Sequence, residues 1–298
     1  MTWIIFAISG YFLIAAVGVA DKILLKQRAV TNPVVYSFYI GVLSVFTFIL
    51  APFGLHWPGE FQFFLALVSG FIFFLSLVSL YKSLDINEAS RTLPAIGGLT
   101  PILVLFLSYF FLKESLSEIH IIAFFLLVTG GVLISLKTSR KKSRLVKGSA
   151  NLFLAVGLGA IYYVLEKYIF TEQGFVSGFI WSRLGLAITS ASILLVPRWR
   201  RLILSSEKRA TAGLSFSLII NKFTAGVGSL LIHLAISMTS VSLVNAMQGT
   251  EYVFLFIFTI MLSIKYPQFL KENIDRKTMI QKIIAILSII TGLSLLYL

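Results

Sequence analysis

The sequence contains no cysteine, so disulfide frameworks, thiolate metal sites and cysteine nucleophiles are excluded from the start. Charge is scarce too: Asp, Glu, Lys and Arg make up 12% of the chain, about half of what an ordinary soluble domain carries. Only three histidines occur, His56, His120 and His233, and they are too scattered to form a zinc-spaced His-Glu cluster. No strand-loop-helix glycine motif for a nucleotide is present either; Gly157 with Gly159 and Gly226 with Gly228 read as close-packing positions. These absences argue against an enzyme and against a metal or other cofactor.

What is abundant is hydrocarbon. Hydrophobic residues make up 58% of the chain, with 27 phenylalanines and a mean hydropathy of +0.94. Such a composition cannot cover its apolar surface by folding in water. A helix needs roughly 20 apolar residues to cross a hydrocarbon layer about 30 Å thick, and about ten such runs are present. They cover approximately Thr2–Ala20, Val34–Leu55, Phe61–Tyr81, Arg91–Leu112, Ile119–Leu136, Ser149–Phe170, Phe175–Val196, Gly213–Ser237, Ser242–Ile264 and Met279–Leu298. The runs are continuously apolar, which excludes the alternating pattern of a membrane barrel. The first run lacks a basic leader and a cleavage site, so it reads as a retained helix. The fold expected is all-α: a polytopic membrane protein of about ten helices.

The net charge of +13 lies between the apolar runs and not on a separate basic domain, so it reads as a topology signal, with no nucleic acid as partner. The basic stretch 137–148 divides the chain into residues 1–136 and 149–298, five helices each. With an odd number of helices per half, a repeat must be threaded in the opposite sense, the inverted arrangement of many secondary transporters. Internal echoes support duplication. Ile121-Ile122-Ala123, Thr129-Gly130 and Leu136 recur at the same spacing as Ile283-Ile284-Ala285, Thr291-Gly292 and Leu298. Val19 before Asp21-Lys22 is echoed by Val164 before Glu166-Lys167, Gly41 by Gly185, and Ala95 with Gly98 by Ala246 with Gly249.

The stretch from Ser83 to Arg91, Pro101, the run Leu112-Lys113-Glu114-Ser115-Leu116-Ser117 and Gly130-Gly131-Val132 resemble the first-half pattern of the drug/metabolite transporter superfamily, specifically its ten-helix EamA-type members. Arg183-Leu184 and Glu251 before Tyr252-Val253-Phe254 look like the arginine and glutamate-proline positions of that family's second half. The chain departs from the pattern at Tyr39, where the family has an arginine, at Tyr252 in place of proline, and in the longer charged connection Lys265 to Lys277. The resemblance implies a transporter in two inverted five-helix repeats, with a small-molecule substrate and the lipid bilayer as partners, as a monomer or a homodimer.

Basic residues mark the cytoplasmic side. Lys22, Lys26, Arg28, Lys82, Arg91, the central cluster, Arg198, Arg200, Arg201, Lys208, Arg209, Lys265, Lys271, Arg276 and Lys277 would share one face, against Lys113 and Lys167 on the other. That bias puts the chain in the plasma (inner) membrane with both termini outside the cytoplasm.

An ionisable group at the bilayer centre costs at least ~2.5 kcal/mol on insertion scales and needs a partner, water or a function. Arg183, Lys222 and Glu251 fall well inside their runs. They form either a structural ion pair or a cation-lined cavity for an anionic or zwitterionic ligand, with Glu251 as counter-ion or proton carrier. Asn245, Gln248 and Tyr252 recur at helical spacing beside Glu251, and Trp181 and Tyr252 offer stacking surfaces, so these seven residues form the expected substrate site. Asn221 points to the same space or to a neighbouring helix. Asp21-Lys22 and Glu166-Lys167 read as anchors or gate latches near helix ends, and His233 as a satisfied histidine near the outer end of its helix. Pro94, Gly97, Gly98 and Pro101 should kink the fourth helix and make it a gate. The reading is a secondary active transporter for an amino acid-like or anionic metabolite, or a drug, working by alternating access and driven by protons or exchange. A lipid flippase or a non-transporting scaffold is the alternative.

Overall fold

The structure is a computed structural model, described here for residues 1–25, 32–86, 89–136, 149–207, 212–265 and 276–297. The basic stretch 137–148 and most of the connection between Lys265 and Lys277 lie outside these residues, as does Leu298. Every described element is helical: α1 Thr2–Leu25, α2 Pro33–Leu43, α3 Glu60–Ile86, α4 Ala89–Leu107, α5 Glu118–Ser135, α6 Ser149–Gln173, α7 Phe175–Ser192, α8 Pro197–Glu207, α9 Ala212–Met238, α10 Val241–Ala246, α11 Gln248–Lys265 and α12 Arg276–Leu295. Ten of the spans they form are long and apolar enough to cross a membrane. Hydrocarbon leaves no other choice to so apolar a chain, because helices alone satisfy their backbone groups within one segment.

Four features differ from a reading of ten plain rods. The second span tightens to a 3-10 helix over Ser44–Phe53. α4 stays helical through Pro94 and Pro101 and widens into a π turn at Ser108–Leu112. There the Ser108 hydroxyl meets that of Ser242 at 2.7 Å, drawing α4 onto α10. The ninth span is two helices, broken at Met247, whose carbonyl accepts from both the backbone N–H (2.9 Å) and the hydroxyl (2.7 Å) of Thr250. Finally, α8 is an additional short helix between two spans.

α1 packs on α9 and α11, α3 on α6 and α7, α2 on α7, and α5 on α12. The α5–α12 seam is reciprocal. A Cβ on Gly130 would meet the Ala285 carbonyl at 3.0 Å and Ile289 at 2.6 Å, while one on Gly292 would meet the Ala123 carbonyl at 3.1 Å and Leu127 at 2.9 Å. The offset that carries Gly130 to Gly292 also carries Ala123 to Ala285 and Leu127 to Ile289. Each helix therefore presents the same surface to the other, with glycine admitting a close approach that lipid cannot fill.

Cations close helix ends. The Lys167 ammonium donates to the carbonyls of Thr239 (2.7 Å) and Ile236 (3.0 Å) at the C-terminus of α9, and Lys282 to that of Ile134 (2.5 Å) at the C-terminus of α5. The Glu114 carboxylate accepts from Ser240 Oγ (2.8 Å) and the Val241 N–H (3.4 Å) at the start of α10. Carbonyls left over at a helix C-terminus attract cations, and N–H groups at an N-terminus attract anions.

Candidate functional site

Two buried polar clusters occupy opposite ends of the bundle. At the end where α1 finishes and α2 begins, Asp21 forms an ion pair with Lys222 at 3.1 Å. It also accepts from Asn221 Nδ2 (2.6 Å) and from the Tyr36 hydroxyl (2.6 Å). Lys222 in turn contacts the Tyr36 hydroxyl and lies 4.0 Å from the centre of its ring, and Tyr81 packs edge-on against Tyr36. Four spans contribute to this cluster, and every charge in it is answered.

The second cluster sits toward the end where α6 finishes. Arg183 on α7 is buried, with its guanidinium 4.6 Å from the ring centre of Phe179 and 5.1 Å from that of Phe73. Its Nη2 donates to the Tyr162 hydroxyl (3.2 Å) and to Ser229 Oγ (3.1 Å), and His233 Nε2 lies at 3.5 Å. His233 Nδ1 lies 2.7 Å from the Ser229 carbonyl, which only accepts, so Nδ1 donates there. Nε2 is then the acceptor for the Tyr162 hydroxyl at 2.7 Å. The result is a directed relay from Arg183 through Tyr162 and His233 to the backbone of α9.

Glu166, on the same helix as Tyr162, is wholly buried. Its Oε1 accepts from the Ser69 hydroxyl at 2.5 Å. The Ser182 hydroxyl faces the same carboxyl as a second, looser hydrogen-bonding partner, and the carboxyl lies within electrostatic reach of Arg183.

The structure sets Lys222 apart from Arg183, with which it was expected to share a cavity. Lys222 belongs to the Asp21 cluster, and Arg183 meets α9 at Ser229 and His233, seven and eleven residues further along, which is about 10 to 16 Å of helix rise. Glu251 lies in the first turn of α11, where the N-terminal dipole favours a carboxylate. Tyr11, Tyr163 and Tyr252 lie within its electrostatic reach, and Gln248 is its hydrogen-bonding neighbour. It keeps partial exposure, as do Gln248 and Tyr163, although all three lie well inside their spans. Tyr163 lies within electrostatic reach of both Arg183 and Glu251.

The remaining expected residues divide. Asn245 is buried, and its Nδ2 donates to the carbonyl of Val241 one turn back. The break at Met247 puts it on a different helix from Gln248, Glu251 and Tyr252, so the polar stripe is interrupted. Tyr252 donates to the Leu93 carbonyl at 3.2 Å, and a Cβ on Gly97 would stand 2.6 Å from that hydroxyl. Gly97 thus leaves room for a strut between α11 and α4. Trp181 donates to the His56 carbonyl at 3.0 Å and joins Phe48, Trp57 and Phe63 in an aromatic cap over the connection before α3. Pro94 and Gly98, with Leu99, Val128 and Thr129 among others, line an apolar groove of about 540 Å³ between α4 and α5. Pro101 lies in the same helix, outside that lining.

Residues missed as site members are Tyr162, Ser69, Ser229 and Phe73. His233, expected to be satisfied, is so, and it also belongs to the arginine cluster. Their one advance signal was the echo that matched Glu166 to Asp21.

A bundle of ten membrane-length helices enclosing buried, hydrogen-bonded charge defines the class, a polytopic membrane protein with a polar interior. Residues 1–136 match the EamA-like transporter family, so the first part of the chain is similar to that family. No curated protein matches the chain. One solved crystal structure is similar over 99% of this chain and 96% of its own, with a TM-score of 0.69 at 14% identity, which speaks for the fold alone.

Proposed function

We propose that the protein is a secondary active transporter that moves a small polar metabolite, amino acid-like or anionic, across the plasma membrane by alternating access between its halves. The observation that carries this reading is Arg183, a guanidinium held deep in the bundle between two phenyl rings, with its hydrogen bonds all leaving from Nη2. A cation is costly in this position unless it meets an anion, and a side chain kept only for packing would be cheaper as leucine. Arg183 is the anion-recognising group, Glu251 with Gln248 and Tyr163 lines the adjoining space, and Glu166 is the carboxyl that exchanges a proton or a cationic group during the cycle. Lys222 serves as a latch with Asp21. The reciprocal α5–α12 seam supports treating residues 1–136 and 149–298 as inverted repeats that rock against each other.

The test is counter-flow in proteoliposomes loaded with candidate zwitterions and organic anions. Wild type should exchange one chemical family saturably, and Arg183→Gln should not. Saturable exchange that survives in Arg183→Gln would remove the arginine from the site, and no exchange of any candidate would favour the scaffold.

A further inference from the structure

α8 begins two residues after Leu195, where the preceding membrane-length span ends. Its sequence is Pro197-Arg198-Trp199-Arg200-Arg201-Leu202-Ile203-Leu204-Ser205-Ser206-Glu207. Ile203 is buried and clusters with Val35 and Phe38 near the start of α2, and half-buried Trp199 lies one turn before it on the same face. Arg198 and Arg201 lie on the opposite side and Arg200 on its flank, all exposed. At 100° per residue, Leu204 falls between Arg200 and Arg201, and it is 52% exposed. Leu195, beside the helix start, is 84% exposed.

Neither water nor hydrocarbon suits such a surface. Water leaves the leucines unburied, and hydrocarbon leaves the guanidinium groups without acceptors. Among the described residues no carboxylate is paired with the three arginines, and the Arg198 guanidinium lies 5.2 Å from the centre of the Trp199 ring. A phospholipid headgroup layer answers both needs, with phosphodiester oxygens for guanidinium groups and the acyl boundary for leucine. The Asp21–Lys222 cluster and the α2 start lie at this same end, so α8 borders the membrane rim there.

We propose that α8 is a binding site for the phosphodiester headgroup of an anionic phospholipid, with Arg198, Arg200 and Arg201 as its ligands and Leu204 inserted between them. The site stands apart from the transport reading and requires no substrate.

The test uses the full-length protein in nonionic detergent, titrated with short-chain phosphatidylglycerol or phosphatidylcholine and followed by native mass spectrometry. At about fivefold per arginine near an anionic surface, R198Q/R200Q/R201Q should lose on the order of a hundredfold in phosphatidylglycerol affinity, with phosphatidylcholine unchanged. R198K/R200K/R201K should retain most of it. Equal phosphatidylglycerol binding by wild type and the glutamine variant, or equal binding of the two lipids by wild type, overturns the proposal. Displacement of the lipid by inorganic phosphate at matching concentration overturns it in favour of a soluble anion. Should the glutamine variant fail to fold, K141Q/K142Q/R144Q provides the second arm: it should keep the lipid preference, and its loss there would assign the effect to the basic linker and overturn the proposal.

Discussion

Asp21 and Glu166 occupy matching positions in the two halves, each followed by lysine and each near the end of the helix that opens its half. Their surroundings have diverged. Asp21 is answered by an ammonium, an amide and a phenol. Glu166 is held closely by the Ser69 hydroxyl and more loosely by that of Ser182, and reaches a guanidinium only through space. A fully answered pair inside a membrane is a fastener, whereas a carboxyl met only by neutral hydroxyls, with an arginine nearby but not paired to it, has capacity left to bind. Position within the repeat is therefore a poor guide to role, and the partners supplied by the facing helix decide it.

The comparison breaks most visibly at Arg183. Arg183→Gln should lower exchange in proteoliposomes by about a hundredfold or more, since the anion loses its only positioned charge, while the melting temperature should fall little. A large loss of stability with exchange intact would make this cluster the fastener instead. The Asp21 side comes next. Asp21→Asn and Lys222→Met should each destabilise by about 2 kcal/mol, because each strands a partly buried charge, and the double variant should recover much of that loss. Additive losses in the thermal cycle would mean that the pair is not coupled.

Glu166→Gln sharpens the contrast through pH. If its carboxyl exchanges a proton during transport, the variant should lose the pH dependence of exchange and run at roughly a tenth of the wild-type rate at the optimum. Asp21→Asn should keep the wild-type profile. Identical profiles for both variants would erase the distinction. The smallest effect expected is for Tyr252→Phe, which deletes the strut to the Leu93 carbonyl and should cost about 0.6 kcal/mol in a detergent melt, with exchange nearly unchanged.

Much of the architecture was legible because hydrocarbon imposes one rule on every span, and run length alone reveals it. The break at Met247 was not, since no proline marks it and the turn is held by Thr250, whose type is common within helices. α8 escaped because eleven residues with three arginines fall below any spanning signal, although their amphipathic order was there to be read. Among the charges, residue type announced that Arg183, Lys222 and Glu251 needed partners. Counted from Gly213, Lys222 lies nine residues, about 13 Å, inside its run, so run ends alone could not place it beside Asp21. Tyr162, His233 and Ser229 were beyond reach, since their meeting with Arg183 depends on how α6, α7 and α9 pack.

A seam in which two helices present one surface to each other carries no information about which copy is which. By itself, the Gly130–Gly292 contact would accept a second α5 as readily as α12, and two first halves in opposite orientations would satisfy it. What breaks the tie is Gln281 and Lys282, which reach from α12 to the last carbonyls of α5, and Ser288, which donates to the Leu126 carbonyl at 2.9 Å; the corresponding residues of α5 are Ile119, His120 and Leu126. The asymmetry of this seam thus resides in three side chains of α12, two at one rim of the membrane and one within it, and the apolar remainder of the contact supplies adhesion without identity.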